Sequence, residues 1–346
     1  MTAPIETRLL ADGGAGEWDA YVNAHEKGTF FHRSDWRRAI GEGFGHKTHF
    51  IEARRGGRLT GVLPLVQVKS PLFGHALVST GFCVEGGPIA DDDESLAALL
   101  EAAEETALER GATRIEFRSP APDRKGWVDA AGTYVGFRRE LESDPDANLA
   151  RIRRKQRAMV RKGLGFGLTA TVDETVDRFH DIYAASVHRL GTPVFGKRYF
   201  QALQRTFGDD CDVLTIEKDG EAVASVLSFY HKGTVLPYYG GSLPEARNLA
   251  ANDVMYHELM RHAVVNRGCN MFDFGRSKKD TGAYNFKRHW GFEPEELTYG
   301  FWMKDGGAPP EINPLNPKYR LFINIWQKMP LWLTKIVGPP IARQLG

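Results

Sequence analysis

Between Met271 and Phe292 the chain reads Met-Phe-Asp-Phe-Gly-Arg-Ser-Lys-Lys-Asp-Thr-Gly-Ala-Tyr-Asn-Phe-Lys-Arg-His-Trp-Gly-Phe, the stretch best equipped for chemistry. One acid, Asp273, stands in a short apolar run that spells a buried strand. Gly275 ends the run, and Arg276, Lys278 and Lys279 form a cationic turn. A second element starts near Thr281-Gly282 and carries Tyr284, Lys287 and Arg288 before Gly291. A strand that feeds a basic loop and then a helix N-terminus suits an anion, because backbone N–H groups and cations converge there. Lys287 is the candidate electrostatic catalyst, since one donor aimed at the oxyanion of a tetrahedral intermediate is worth about 3–4 kcal/mol. Burial beside three cations would favour the charged form of Asp273 and make it a weak base, so it reads as the acid that orients Arg276. His289, between Arg288 and Trp290, reads as a packing residue.

Other chemistries are argued against by pattern. The 11 histidines show no H-E-x-x-H or paired His/Asp spacing, no G-x-S-x-G occurs, and the glycine-rich segments lack phosphate-loop and dinucleotide spacing. Metal and covalent-nucleophile readings therefore fall away. Cys83, Cys211 and Cys269 are scattered, which fits a reducing compartment and no disulfide framework. The formal net charge is only +1, so no global field points to DNA, and any anion site must be a local patch. The N-terminal residues Met1–Arg8 lack a basic region followed by an apolar one, and no apolar run approaches the ~20 residues needed to span a bilayer. A cytoplasmic protein is expected.

The elements that must position these residues come twice. With 346 residues, 42% of them apolar, the chain is long enough for two cores. Helices are expected over 18–26 and 34–42, strands over 49–53, 59–68 and 77–80, a helix over 94–110 and a strand over 113–118. The order then recurs. Phe44-Gly45 is matched by Phe207-Gly208, the turn at 55–58 by that at 218–221, and Gly86-Gly87 by Gly240-Gly241. Gly111 is matched by Gly268, and Arg118-Ser119 by Arg276-Ser277. An offset of roughly 155–163 residues held across these landmarks indicates an internal duplication. In the second copy, helices are expected over 173–190, 197–207 and 252–267, and strands over 213–216, 222–230 and 235–239. Residues 1–145 and 146–305 form the two copies of an α/β (α+β) module, and 306–346 a proline-rich linker and amphipathic tail. Between the copies, Arg151–Lys162 holds seven cations (Arg151, Arg153, Arg154, Lys155, Arg157, Arg161, Lys162) on a helix with a thin apolar stripe. It is either a solvated face or a patch for phosphates.

The motif Asp273, Gly275, Gly282, Phe286, Lys287, Trp290 and Gly291 resembles the FemAB-like family of tandem-GNAT aminoacyl- and acyltransferases. The segment Phe30–Trp36 resembles the entry of that family's first domain, and Arg157, Val160, Arg161, Lys162 and Gly163 resemble the helix that opens its second. The resemblance implies tandem GNAT-like domains and attack of an amine on an activated acyl or aminoacyl ester, with Lys287 and Asp273 as catalytic candidates. Arg276, Lys278, Lys279, Tyr239, Arg189 and Arg157 become substrate-binding candidates. Arg189 stands where such proteins place an arginine toward a nucleotide substrate, and Tyr238-Tyr239 where a GNAT sheet splays to admit the acyl donor. The donor is aminoacyl-tRNA or acyl-CoA. Arg247-Asn-Leu-Ala-Ala-Asn252 occupies the place of the CoA pyrophosphate loop with its glycines replaced, which disfavours CoA. No other cofactor is implied. The acceptor is a small, lipid-linked or nucleotide-linked molecule.

Phe272–Lys278 and Asn313–Phe322 resemble a subfamily associated with exosortase/PEP-CTERM systems. This implies a role around exopolysaccharide or envelope assembly, whether catalytic or as a non-catalytic scaffold. The tail itself, apolar at Leu321, Phe322, Ile325, Trp326 and Met329 with cations interspersed, would cover a groove on the domains or lie on the inner membrane surface. The groove is the preferred reading.

Overall fold

The computed structural model describes residues 3–71, 74–309 and 317–345. In chain order its elements are β1 (Ile5–Leu9), α1 (Ala15–Ala24), α2 (Trp36–Phe44), β2 (Lys47–Arg55), β3 (Arg58–Ser70), β4 (Gly74–Ser79), β5 (Ile89–Ala90), α3 (Asp93–Arg110) and β6 (Arg114–Phe117). Then follow β7 (Trp127–Glu140), α4 (Pro145–Ala150), α5 (Arg154–Gly165), β8 (Thr169–Asp173), α6 (Asp177–Arg189), α7 (Lys197–Phe207), β9 (Cys211–Lys218), β10 (Glu221–His231) and β11 (Thr234–Ser242). The chain ends with α8 (Ala251–Val265), β12 (Met271–Asp273), β13 (Ser277–Lys278), α9 (Gly282–His289), β14 (Pro294–Met303), α10 (Pro317–Lys328) and α11 (Leu331–Ala342).

Two compact units form. The first takes the chain up to Gly132, returns at Leu297 and includes the end from Arg343; the second takes Thr133–Glu296 and the tail to Ala342. In the first, β1 through β4 pair antiparallel in sequence order, β4 pairs parallel with β6, and the end of β14 closes the edge antiparallel to β6. In the second, β8 through β11 repeat that meander, β11 pairs parallel with β12, and β7 closes the edge antiparallel to β12. The shared order and pairing sense bear out the duplication. The unit boundary, however, falls at 132/133 rather than 145/146, and 297–303 belong to the first unit. Backbone pairing is the reason: Arg138–Glu140 bind β12 and Gly300–Met303 bind β6. Each sheet is thus completed by a strand encoded beside the other.

Each unit has its own core. Leu63, Leu65, Leu77, Leu99, Ala103 and Phe117 pack between sheet and α3 in the first; Phe137, Val226, Val254, Leu259, Phe272 and Trp290 form the core of the second, with Val254 and Leu259 supplied by α8. One landmark pair does not correspond. Gly86-Gly87 lie in a loop beyond β4, whereas Gly240-Gly241 lie inside β11. Gly241 is needed there because α6 crosses the strand: a Cβ would come within 2.9 Å of the Tyr183 Cα. The helix expected from residue 173 starts at Asp177, because Asp173 is still paired with Val213.

The tail packs on α6. Trp326 is buried, the His188 ring Nε2 lies 3.1 and 3.0 Å from the carbonyls of Trp326 and Met329, and Gln327 donates to the Arg189 carbonyl at 2.7 Å. Pro310 and Pro314 of the expected linker, and residues 313–316 of the Asn313–Phe322 block, lie outside the described residues.

Candidate active site

The chemistry-bearing stretch folds as a strand, a hooked turn and a short helix. β12 ends at Asp273, Gly275 adopts a left-handed backbone (φ +65°) that lets the chain double back, and β13 then pairs with β7 at Ser277–Val135 and Lys278–Tyr134. Thr281 starts α9 by accepting from the Tyr284 N–H at 3.3 Å.

Asp273 is buried, and both its oxygens are used. Oδ2 accepts from Arg138 Nε at 2.9 Å, and Oδ1 accepts from the Gly275 N–H at 2.8 Å. Asp273 thus holds a guanidinium, but it is that of Arg138 on β7, across the ladder, and not the Arg276 expected from the sequence. Arg276 instead lies over the Tyr134 ring at 4.8 Å.

Lys287 is 9% exposed. Its ammonium donates to the carbonyls of Gly275 (3.1 Å) and Arg276 (3.0 Å) and sits 5.4 and 5.5 Å from the Phe137 and Phe274 ring centroids. Loss of hydration pushes its pKa down to about 7, against an opposing pull from Asp273. An ammonium has three N–H groups, so one remains beyond the two carbonyl bonds; a neutral amine satisfies the same carbonyls and keeps a lone pair. The group can thus donate to an oxyanion or accept a proton near neutral pH, but it is sheltered rather than standing in an open cationic loop.

The remaining sequence candidates separate. Lys278 is half-buried beside β7, and Lys279 is committed to an ion pair with Glu296. Arg157 donates to the Ala150 carbonyl at 2.8 Å, and exposed Arg189 donates to the Ser242 carbonyl at 3.3 Å. Tyr239 is buried in an aromatic cluster with Tyr183, Phe195, Tyr199 and Phe200, its hydroxyl 3.1 Å from that of Tyr199. It belongs to the core under α6 and α7, and Tyr238 is the bulged residue of the β10–β11 ladder. His289 is exposed rather than packed.

Beside the site the sheet opens. Parallel pairing of β11 with β12 covers only Thr234–Met271 and Val235–Phe272, while β11 runs on to Ser242 against β10. Tyr256 of α8 reaches this opening: a Cβ on Gly240 would lie 3.4 Å from its hydroxyl, and its ring stacks edge-on to Phe274 at 4.6 Å. Burial raises its pKa to about 12, so the hydroxyl keeps its proton at neutral pH and can act as a donor. On β7, Arg139 lies 4.3 Å over Phe292 and donates to the Trp290 carbonyl at 3.1 Å, with Nε and Nη2 buried and unpartnered among the described residues. Burial lowers its pKa to about 10 without discharging it, and the two spare donors suit a carboxylate or phosphate.

Sequence reasoning missed Arg138, Arg139 and Tyr256. The first two were hidden because no strand was assigned to β7, although Thr133, Val135 and Phe137 alternate as a half-buried strand should. Nothing in the local pattern of α8 singles out Tyr256.

The loop before α8 also departs from a pyrophosphate cradle. Ala250 holds a left-handed φ of +54° at the N-cap, the conformation a glycine would take, but α5 lies across the helix start. A Cβ on Gly163 would come within 2.4 Å of Val254, and Gln156 bonds Asp253 in the first turn, which also accepts from Trp290 Nε1 at 3.2 Å.

Residues 147–288 match the family of acetyltransferase (GNAT) domains. Among solved structures the fold is similar to a crystal structure of FemX (TM-score 0.67, 18% identity), covering 92% of this chain and 100% of that one. It is similar to a tandem GNAT protein from the clavulanic acid biosynthesis pathway, solved without AcCoA (0.55, 16%, covering 88% and 100%). It is also similar to the C-terminal domain of a putative lysylphosphatidylglycerol synthetase from Agrobacterium fabrum (0.55, 15%, covering 83% and 90%). No curated protein matches by sequence. The two units are tandem GNAT-like folds.

Proposed function

We propose that the second unit is an acyltransferase that moves an aminoacyl or acyl group from an activated ester to an amine on an envelope or exopolysaccharide precursor. The observation that carries this reading is the opening between β11 and β12, flanked by Tyr256 and followed at once by the loop that Lys287 closes. In the reaction the amine nitrogen attacks the ester carbonyl, and the oxyanion is met by the spare N–H of Lys287. The intermediate collapses with loss of the alkoxide, which takes the Tyr256 proton, and the amine's proton leaves to solvent as the amide forms. Arg139 and Arg276 would hold anionic parts of donor or acceptor.

Aminoacyl-tRNA is the donor this arrangement favours over CoA. Helix α5 covers the α8 N-terminus, where a pyrophosphate would need open N–H groups, and Asp253 puts a carboxyl there. Exposed Arg153, Arg154, Lys155, Arg161 and Lys162 on and beside α5 offer a polyanion surface instead. The similarity to FemX, and to a protein of the clavulanic acid pathway, supports transfer chemistry without fixing the donor. Titrating the protein calorimetrically with acetyl-CoA and long-chain acyl-CoA tests the choice. No heat at millimolar ligand, together with protein-dependent deacylation of aminoacyl-tRNA in the presence of an amine acceptor, is expected; saturable CoA binding would overturn the donor assignment. Mass spectrometry of molecules that co-purify with the protein would then identify the acceptor.

A further inference from the structure

The tail helices use only one side against the second unit. Trp326, Thr334, Gly338 and Ala342 are buried, and the pair is pinned to α6 by His188, by Gln327 and by an ion pair between Lys335 and Asp181. Gly338 fits because a side chain there would press on Val194, with a Cβ only 3.1 Å away. The other side is apolar and bare. Leu321 and Ile325 on α10 are 63% and 54% exposed, and Trp332 and Ile336 on α11 are 64% and 63% exposed. Each pair is spaced i, i+4, so each helix carries an outward apolar row.

We propose that this face docks onto a lipid surface with anionic headgroups, holding the second unit at a membrane. Charge selects the occupant. The whole chain is balanced, with 45 Lys and Arg against 44 Asp and Glu, yet residues 312–346 contain Lys318, Arg320, Lys328, Lys335 and Arg343 and no acid at all. An apolar row within a purely cationic segment is complementary to an anionic bilayer, whereas a protein groove has no need to exclude every carboxylate. Trp332, with its amphipathic ring turned out, is the side chain suited to headgroup depth. Each helix has 12 residues and they meet at Pro330, and no helix among the described residues is long and apolar enough to cross a membrane, so the contact lies in the plane of the surface. Because α10 and α11 are fixed to α6, membrane contact would also fix the second unit's orientation, which an acceptor carried in the bilayer would require. The docking itself does not depend on the transfer reaction.

The test is co-sedimentation of the full chain with vesicles of phosphatidylcholine alone and of phosphatidylcholine containing roughly one third phosphatidylglycerol. Binding to the anionic vesicles only, weakened by high salt, and reduced at least about tenfold in Trp332→Ser/Ile336→Asn is expected. Circular dichroism and an unchanged melting curve establish that the variant is folded. Binding by the folded variant equal to that of the unsubstituted protein, or no binding to either vesicle, would overturn the proposal. So would a concentration-dependent dimer in light scattering that the substitutions abolish, since that assigns the face to a second copy. Transfer to a water-soluble acceptor should be unchanged in the variant, which keeps failure of docking separate from failure of the chemistry.

Discussion

Lys287→Met should remove a pH dependence of stability that the unsubstituted protein owes to this one group. The Lys287 pKa is lowered from an ordinary 10.5 to about 7 in the folded chain, where burial strips water from the ammonium. The unfolded chain therefore binds more protons than the folded one between about pH 7 and 10, and stability rises with pH across that window. The burial cost is fully present below pH 7 and is relieved as the ammonium discharges. Weighting both protonation equilibria at 1.36 kcal/mol per pKa unit, this group alone should make the protein about 2 kcal/mol more stable at pH 9 than at pH 7. Methionine fills a similar volume and does not titrate, but it leaves the Gly275 and Arg276 carbonyls without their donor, a loss of about 1–3 kcal/mol each. At pH 7 that loss is offset by removal of a buried charge, so the two proteins should lie close together; at pH 9 the variant should fall behind by about 2 kcal/mol. Urea unfolding of both at pH 7, 8 and 9 measures this, and every other titrating group cancels in the difference. Parallel stability curves would refute the account of a desolvated Lys287, and with it the basis for its catalytic role.

The same lysine sets an activity prediction: if it acts as the charged donor, kcat should fall above about pH 7, and a kcat that rises through that pH would reassign Lys287 as the base. Asp273→Asn removes the charge that holds Arg138 and helps Lys287 stay protonated; that limb of the kcat profile should move to lower pH, and an unmoved limb would sever the two residues. Tyr256→Phe deletes a hydroxyl for which no hydrogen bond is found among the described residues, so stability should stay within about 0.5 kcal/mol while kcat drops; unchanged kcat would remove Tyr256 from the mechanism. Gly163→Ala places a methyl 2.4 Å from Val254 and should cost about 1–3 kcal/mol by prising α5 from α8, read as a lower melting temperature. If that variant also gains CoA binding, α5 is the element that closes the pyrophosphate site.

Much of this was legible in the residues. Helix-stop glycines and hairpin turns act locally, so Phe44-Gly45, Phe207-Gly208 and the turns at 55–58 and 218–221 marked the repeat correctly. The alternation in β7 was legible but its pairing was not, because that is long-range: Arg138 meets Asp273 only when β7 leaves its own sequence neighbours and pairs with β12. Tyr239 shows the converse error. The resemblance placed Tyr238 and Tyr239 together where the sheet splays, but which of them faces the core depends on the bulge at Tyr238 and on where α6 crosses Gly241. Lys287 was found for its motif and cationic charge, whereas its depressed pKa comes from burial that only the fold produces.

Duplication also bears on the proposal that the second unit carries the chemistry. In the first, β4 pairs with β6 from Ala76 to Ser79, its full length but for two residues, and the following loop is sealed against the strand ends. The Gly87 N–H donates to Ser79 Oγ at 2.8 Å, Thr80 Oγ1 donates to the Phe31 carbonyl at 2.7 Å, and a Cβ on Gly86 would collide with Thr80 at 2.2 Å. No strand runs past its parallel partner there, so no equivalent opening forms. In the second, β11 continues for seven residues beyond Val235, the last of its residues paired with β12, and α9 is inserted between β12 and β14, bringing Lys287 with it. A long strand and one extra helix separate a sealed copy from an open one. Shortening that difference should therefore abolish activity without unfolding the chain: Gly240→Leu, which fills the space beside Tyr256, should leave the melting temperature nearly unchanged while blocking transfer. An active, folded Gly240→Leu protein would place the donor somewhere other than between these two strands.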